Sequence, residues 1–468
     1  MSLHVLKFGG TSVGSAAAIS AVVAIVAERT RAHEVVVVVS AMSGVTDALL
    51  RGAHSAAAGD GHIFVEIAEM IERKHFDAAR ELIVDENEFR AVESTVRRFL
   101  DEFRTLCHSV QVLGELTPRA LDAISSLGER MNAPLVAAAM RQHGLRTDAY
   151  DATTLILTDD RFGDAAPLMD QTRERVQAEL RPALERGAVP VVTGFIGATE
   201  RGATTTLGGR GGSDYSAAIL GAVLDADAVH IYTDVDGVMT ADPRVVPQAR
   251  VIPTLSYEEI GELAYFGAKV LHPKAIRPVI ERDIALMIRN TFNPDHPGTS
   301  VVRQAPTADG AIKAVTAIRK LSIITVAGRG MLGIPGVAAR TFGAVARVSA
   351  SVLMISQASS EQSICFVVTS ASSDAVLAEL QHELRAEVER RDIDGIIAQE
   401  DVVVVTVVGA GMRGTPGVAG QVFGVLGRER INIHAIAQGS SECSISLVVD
   451  GSDADAAVAR IHDLTAAA

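Results

Sequence analysis

An internal repeat in the last third of the chain limits the fold more than any other feature. Residues 324–368 begin I-T-V-A-G-R-G-M-L-G-I-P-G-V and run on to I-S-Q-A-S-S-E-Q-S-I-C-F-V-V. Residues 405–449 begin V-T-V-V-G-A-G-M-R-G-T-P-G-V and run on to I-A-Q-G-S-S-E-C-S-I-S-L-V-V. Met331 pairs with Met412, an offset of 412 − 331 = 81, and Gly336/Gly417, Phe342/Phe423, Gln357/Gln438 and Ser360/Ser441 keep it. Two copies without slippage specify two homologous modules. Each reads as strand, Gly-Pro-Gly turn, helix, strand, polar S-S-E turn, strand. That is the start of a βαββαβ unit, a ferredoxin-like sheet with helices on one face. Such a module leaves a sheet edge open, so two are expected to associate. Duplication for oligomerisation alone would leave the same pattern.

The first 300 residues follow another rule. Leu3–Phe8 is a short apolar run, followed by G-G-T-S-V-G (9–14), a helical stretch over Ser15–Arg31, and Glu34–Ser40 with five consecutive valines. Strand, Gly-rich turn, helix, strand predicts an α/β unit with a parallel sheet. The valine run predicts burial on both faces. Residues 45–140 read as a helical excursion of three or four helices, interrupted by the small-residue turn Ser125–Arg130. Strands are expected again at Arg146–Tyr150, Thr154–Leu157, Val189–Thr193 and Ala226–Thr233, with helices over Pro167–Arg186 and Ser256–Phe266. At 468 residues the chain exceeds one core. A Pro-, Gly- and Thr-rich stretch near 293–310 sets the boundary, giving an α/β domain over 1–300 and modules over 310–395 and 400–468.

Between the last two strands lies T-T-T-L-G-G-R-G-G-S-D-Y-S (204–216). Its glycines allow close backbone approach to a ligand, a helix starting after it would aim free N–H groups at the loop, and Arg210 suits a carboxylate or phosphate. By local composition alone, a flexible turn before a capped helix fits equally well.

A net charge of −14 and the lack of Trp argue against a general nucleic-acid binder. No apolar run reaches the ~18 residues of a membrane span. The N-terminus lacks a secretion pattern. Three widely spaced cysteines (Cys107, Cys365, Cys443) form neither a disulfide framework nor a zinc site. The expectation is a cytoplasmic protein.

Six motifs in order make a resemblance close. They are K-F-G-G-T-S-V (7–13), S-A-M-S-G-V-T-D (40–47), G-E-R (128–130), the 204–216 stretch, T-D-V-D-G-V (233–238) with A-D-P-R (241–244), and F-G-A-K-V-L-H-P (266–273). With the repeat, the whole chain resembles the aspartokinases: an amino-acid-kinase fold (three-layer, mainly parallel α/β) followed by two ACT domains. The resemblance implies transfer of the ATP γ-phosphoryl group to the β-carboxylate of L-aspartate, with Mg2+, as the first step toward lysine, threonine and methionine. A carboxylate nucleophile of pKa near ~4 is already ionised and needs no base. The task is to bring two anions together and stabilise charge on the phosphoryl group.

The resemblance places Lys7 on the transferring phosphoryl group, with Gly9 and Gly10 offering N–H groups beside it. Asp214, which would otherwise read as a helix cap, orients the catalytic lysines. Arg210 takes the α-carboxylate of aspartate and Glu129 its α-ammonium, while Ser40, Thr46 and Ser213 line that pocket. Thr233 and Asp234 fall at the nucleotide site, and Arg244 and Lys269 on its phosphates. His272 reads as a packed histidine. Gln357 and Gln438 match effector positions of threonine-sensitive relatives, which implies threonine first and lysine second as the inhibitor. A homo-oligomer, dimer or tetramer, through the ACT domains is also implied. Two departures stand out: Gly208-Gly209 where one Gly is expected, and Met239 where many relatives carry Tyr. No G-x-G-x-x-G dehydrogenase segment follows the second repeat, so one activity is expected. Another amino-acid kinase, or an ACT-type sensor with an inactive kinase body, remain the competing readings. Lys7, Asp214 and Lys269 argue against the sensor, and Glu129 with Arg210 against an N-acylated substrate.

Overall fold

The computed structural model describes residues 1–208, 211–267, 271, 273–305, 311–331, 336–358 and 362–465. They divide into two units, the first comprising 1–238, 251–257 and 269–304, the second 239–250, 258–268 and 305–468. The second unit therefore takes two segments from within the first 300 residues.

The first unit begins with β1 (Ser2–Phe8), α1 (Ala16–Arg29) and β2 (His33–Val39). Five helices follow: α2 (Val45–Ala57), α3 (Gly61–Leu82), α4 (Glu86–Leu113), α5 (Pro118–Ser125) and α6 (Leu127–Gln142). The small-residue turn is thus the joint between α5 and α6. The chain continues through β3 (Thr147–Tyr150), α7 (Ala152–Leu155), β4 (Leu157–Thr158), α8 (Met169–Glu185), β5 (Val189–Thr193), β6 (Ile196–Thr199) and β7 (Thr204–Thr206). Then come α9 (Gly212–Leu224), β8 (Ala228–Thr233), β9 (Thr254–Ser256), α10 (Tyr257–Tyr265), α11 (Pro273–Glu281), β10 (Ala285–Asn290) and β11 (Thr299–Val302). The expected strand over 154–157 is instead mostly α7. The Asp151 side chain accepts from Thr153 N and caps a helical turn there.

An eight-stranded sheet runs β3-β5-β2-β1-β8-β10-β11-β9. Its first six strands are mutually parallel. Val35–Val39 are all buried to within 1%, as a central strand covered on both faces requires. One face packs into a core shared by α1 and the helical excursion, including Leu6, Phe8, Val37, Leu49, Ile71, Phe103 and Leu127. Across the other strand face lies α9, whose residues are buried throughout apart from the half-buried Tyr215. This explains its Ala-rich, non-amphipathic sequence.

The second unit contains β12 (Ala314–Ala327), α12 (Val337–Arg347), β13 (Met354–Gln357), β14 (Ser363–Thr369), α13 (Ser370–Glu383), α14 (Arg385–Glu389), β15 (Gly395–Val408), α15 (Val418–Arg428), β16 (Ala435–Gln438), β17 (Ser444–Asp450) and α16 (Ala454–His462). They form one six-stranded sheet, β13-β14-β12-β15-β17-β16. One strand crosses between the repeats. The second half of β12 pairs with β14 and with the start of β15, while the first half pairs with the end of β15. The first module so takes its fourth strand from the start of β15, directly after its own α13 and α14, whereas the second borrows Ala314–Ile318 from the segment ahead of the first repeat. Each keeps its own helix-side core. A third cluster, with Leu321, Ile323, Met354 and Val367 from one repeat and Val402, Val404, Ala435 and Val448 from the other, is common to both.

Candidate active site

Because the central strands are parallel, their C-terminal ends share one edge, where open α/β sheets bind ligands. β1 delivers Lys7 to that edge, in register with Val38 and Ile231. Lys7 Nζ lies 2.5 Å from Asp214 Oδ1, with side chains only 11% and 8% exposed. Asp214 sits in the first turn of α9, which Gly211 opens in the left-handed conformation (φ +91°). Gly194, just after β5, lets this turn seat closely: a Cβ there would fall 2.7 Å from Ser213 Cβ and Oγ. Ser213 and Asp214 are both buried. Gly9 lies two residues beyond Lys7, and its N–H, expected on the phosphoryl group, instead donates to the Tyr232 carbonyl at 3.2 Å. The Gly10 carbonyl accepts from Ser43 N at 3.1 Å, tying the first Gly turn to the 40–44 loop.

Glu129, in the first turn of α6, is 3% exposed. Burial pushes its carboxyl up to about 8, against the opposing pull of the Ala41 N–H, its own N–H and the Lys7 charge. Its Oε2 is buried with no partner among the described residues. A buried carboxylate oxygen of this kind is an acceptor suited to a cationic donor. Ser40 follows β2 and Thr46 lies in the first turn of α2, both half-buried.

Asp122 on α5 escaped sequence reasoning. Its carboxylate accepts from Thr206 N (3.0 Å), Thr206 Oγ1 (2.7 Å) and Gly163 N (2.9 Å). It thereby fixes the end of β7, directly before the Gly-rich stretch. Burial raises its pKa, and those three hydrogen bonds act in the opposite direction. Nothing local in R-A-L-D-A-I distinguishes this Asp from a solvated helix residue; the signal lies 84 residues away, at Thr206.

Thr233 and Asp234 end β8, and the Thr233 hydroxyl donates to Asp234 Oδ1 at 3.1 Å. Nearby Asp236 Oδ1 accepts from Asn290 Nδ2 (2.8 Å) and Asn293 Nδ2 (3.0 Å). Arg244 and Met239 belong to the second unit, where the exposed Arg244 guanidinium pairs with Asp242 at 2.6 Å. Gly209, Arg210, Lys269 and His272 lie outside the described residues, so the structure brings together Lys7, Asp214, Ser213 and Glu129 of the expected set. Among the described residues, no group of three or more His, Cys, Asp or Glu is placed to hold a metal ion. No helix of the described residues is long and apolar enough to cross a membrane.

In the second unit, Gln438 ends β16 and lines a pocket of about 390 Å³ with Met412, Gly414, Thr415, Gly417, Glu442 and Ile445. Gln357 occupies the equivalent end of β13 and is exposed.

The profile of the amino acid kinase family matches residues 2–290, and that of an ACT domain matches 324–384 and 405–464. The chain belongs to the amino acid kinase family. It is 37% identical over 469 residues to a chloroplastic bifunctional aspartokinase/homoserine dehydrogenase 1 of Arabidopsis thaliana, covering 98% of this chain and 51% of that protein. It spans about half the length of the bifunctional relatives it matches. The crystal structure of E. coli aspartokinase III with aspartate and ADP (R-state) superposes with a TM-score of 0.84 at 30% identity, covering 99% of both chains. The same enzyme with lysine and aspartate (T-state) gives 0.79 at 31% identity, covering 98% of this chain and 99% of that one. The mixed α/β architecture with a large parallel sheet and C-terminal ACT-type modules is that of the aspartokinase structures.

Proposed function

We propose that this chain is an aspartate kinase, moving the γ-phosphoryl group of ATP to the β-carboxylate of L-aspartate to give 4-phospho-L-aspartate, the first step toward lysine, threonine and methionine. The observation that carries the reading is the buried Lys7–Asp214 pair beside the unpaired Glu129 carboxylate. Lys7 neutralises charge on the phosphoryl group in flight, with the Gly9 and Gly10 backbone beside it. Asp214 holds the Lys7 ammonium in position, and no base is needed for a nucleophile that is already ionised. Glu129 binds the α-ammonium and Arg210 the α-carboxylate; Ser40, Thr46 and Ser213 line the pocket. Thr233 and Asp234 contact the nucleotide, with Arg244 and Lys269 on its phosphates. Mg2+ enters with ATP: a hard cation carried on phosphates needs only one or two carboxylates, and Asp234 and Asp236 are the acidic groups at the end of β8. When bound, the metal would neutralise phosphate charge.

The ACT modules are the regulatory half. The pocket at Gln438 has the size for a free amino acid, with Thr415, Gln438 and Glu442 as polar groups in a mainly apolar lining; threonine is the leading effector, lysine the second. The modules also form the contact of a homo-oligomer.

A coupled assay with ATP and aspartate, glutamate or acetylglutamate tests the reading. Turnover with aspartate alone is expected; turnover with another acid would move the chain to a different amino-acid kinase, and none with any would favour a sensor. Lys7→Ala should lower kcat on the order of a hundredfold or more. An unchanged kcat would remove Lys7 from the mechanism.

A further inference from the structure

Glu129 is not the only group on α6 with an empty acceptor. Asn132 lies three residues on, hence on the same helix face, with Cβ atoms about 5–6 Å apart. Its side chain is fully buried, and Nδ2 donates to the Ser40 carbonyl at 2.7 Å. A carbonyl only accepts, so this bond fixes the orientation of the amide and leaves Oδ1 as an acceptor. Like Glu129 Oε2, Asn132 Oδ1 is buried with no partner among the described residues.

The two side chains meet the same peptide group. The Ala41 N–H pulls the Glu129 pKa down, and Asn132 donates to the Ser40 C=O on the other side of the same bond. Asn132 is therefore held in place before a ligand arrives. Buried acceptors left unpaired are costly, and two on one helix face call for a donor with more than one N–H. Water, with two O–H bonds, and an ammonium group, with three N–H bonds, both qualify by count. The adjacent carboxylate favours the cation.

We propose that Asn132 Oδ1 is a second acceptor for the substrate's α-ammonium group, dividing its N–H bonds with Glu129 and so selecting an amine over a hydroxyl at that carbon. The proposal rests on the assignment of Glu129 given above.

L-malate, which carries one O–H where aspartate carries three N–H bonds, is the probe. Dissociation constants for L-aspartate and L-malate are measured at pH 8.5 on the full chain, for wild type and Asn132→Leu, with folding followed by circular dichroism. Malate's single hydrogen serves Glu129 and leaves Asn132 unpaired. The malate-to-aspartate ratio of dissociation constants should therefore fall on the order of tenfold in the variant. If Asn132 only holds the Ser40 loop, or binds water in both complexes, the two ligands weaken together and the ratio is unchanged, which overturns the proposal. Asn132→Ser, whose shorter hydroxyl still offers a donor to Ser40, replaces the Leu variant should that chain not fold. Wild-type chain that binds no aspartate would sink the aspartate reading itself. Tight wild-type binding with an unchanged ratio sinks the role of Asn132 alone.

Discussion

The Glu129 carboxyl offers a quantitative handle on the site. With its pKa pushed up to about 8 by burial, the ligand-free chain holds a proton there at neutral pH. An ammonium ligand needs the ionised form. Each pH unit below 8 should then weaken aspartate binding about tenfold, or about 1.4 kcal/mol per unit. The dissociation constant should fall roughly a hundredfold from pH 6 to pH 8 and level off above. Glu129→Gln keeps the shape and removes the titration, so its profile should be flat. At pH 8.5 it should bind aspartate on the order of a hundredfold more weakly than wild type, because a buried charge loses its partner. That gap should close to within a few-fold at pH 6. Stability of the ligand-free chain moves the opposite way. The folded pKa lies above the reference value of 4.5, so the folded chain retains a proton that the unfolded chain releases. The stability is complete below about pH 4.5 and is lost as pH rises to about 8, by at most about 5 kcal/mol. Isothermal titration calorimetry across pH 6–8.5 reads the binding. A wild-type constant that does not change from pH 6 to 8, or a Gln variant with the same slope, would refute the assignment of Glu129 as the ammonium partner.

Three further outcomes are expected. Asp122→Asn replaces an acceptor with a donor facing N–H groups of Gly163 and Thr206, and should raise the KM for aspartate about tenfold while sparing the KM for ATP; steady-state kinetics with an unchanged aspartate KM would remove it from loop positioning. Gln438→Ala should raise the half-inhibitory concentration of the amino-acid effector at least about fivefold and leave uninhibited turnover intact, as read in the coupled assay with threonine and lysine in turn. His75 is fully buried in α3, with Nδ1 on the Ile71 carbonyl at 2.8 Å and Nε2 without a partner among the described residues; burial lowers its pKa to about 4. The stability this neutral ring contributes is present above pH 6.5 and lost as pH falls through 4, by about 3 kcal/mol, and His75→Leu should flatten that loss in urea unfolding followed from pH 7 to 4.

How far the sequence carries depends on how local each signal is. Lys7 could be read because a strand-end Lys abuts Gly-Gly, and the strand, the turn and the following helix are contiguous. Glu129 was found through the resemblance, but its chemistry was not: only the packing of α6 against the 40–44 loop strips water from its carboxylate. Asp122 and Asn132 carried no signal, since each acts on backbone groups 84 and 92 residues away. The α7 turn was misread as a strand because Thr-Thr-Leu favours β structure, whereas the Asp151 cap decides it. The joint between α5 and α6 was legible in its small residues, Ser125 and Ser126, although the excursion has five helices rather than three or four. The repeat announced two modules and their order of elements. It did not announce that the second module borrows a strand from ahead of the first, because an alternating run of apolar residues does not name its partner.

That crossing has a local cause which the repeat itself exposes. Lys320 and Asp401 both adopt left-handed backbone, with φ of +61° and +52°, and 401 − 320 = 81, the repeat offset. Each interrupts a 14-residue strand, β12 or β15, and the β12–β15 register shifts next to Lys320, between Ile318 and Leu321. Each kink divides its strand: the end of β12 and the start of β15 serve the first module, and the start of β12 and the end of β15 serve the second. Both side chains are exposed, so a substitution tests backbone strain with little change in packing. A left-handed residue with a Cβ costs roughly 1–2 kcal/mol, and more when β-branched. Lys320→Gly and Asp401→Gly should therefore hold or raise the stability of the paired modules, and Lys320→Val and Asp401→Val should lower it by at least about 1 kcal/mol each in urea unfolding. Because the modules share strands and a common core, each single Val substitution should shift the unfolding of both together. Val variants as stable as the Gly variants, or a chain in which only one module responds, would show that the kinks do not hold the shared strands.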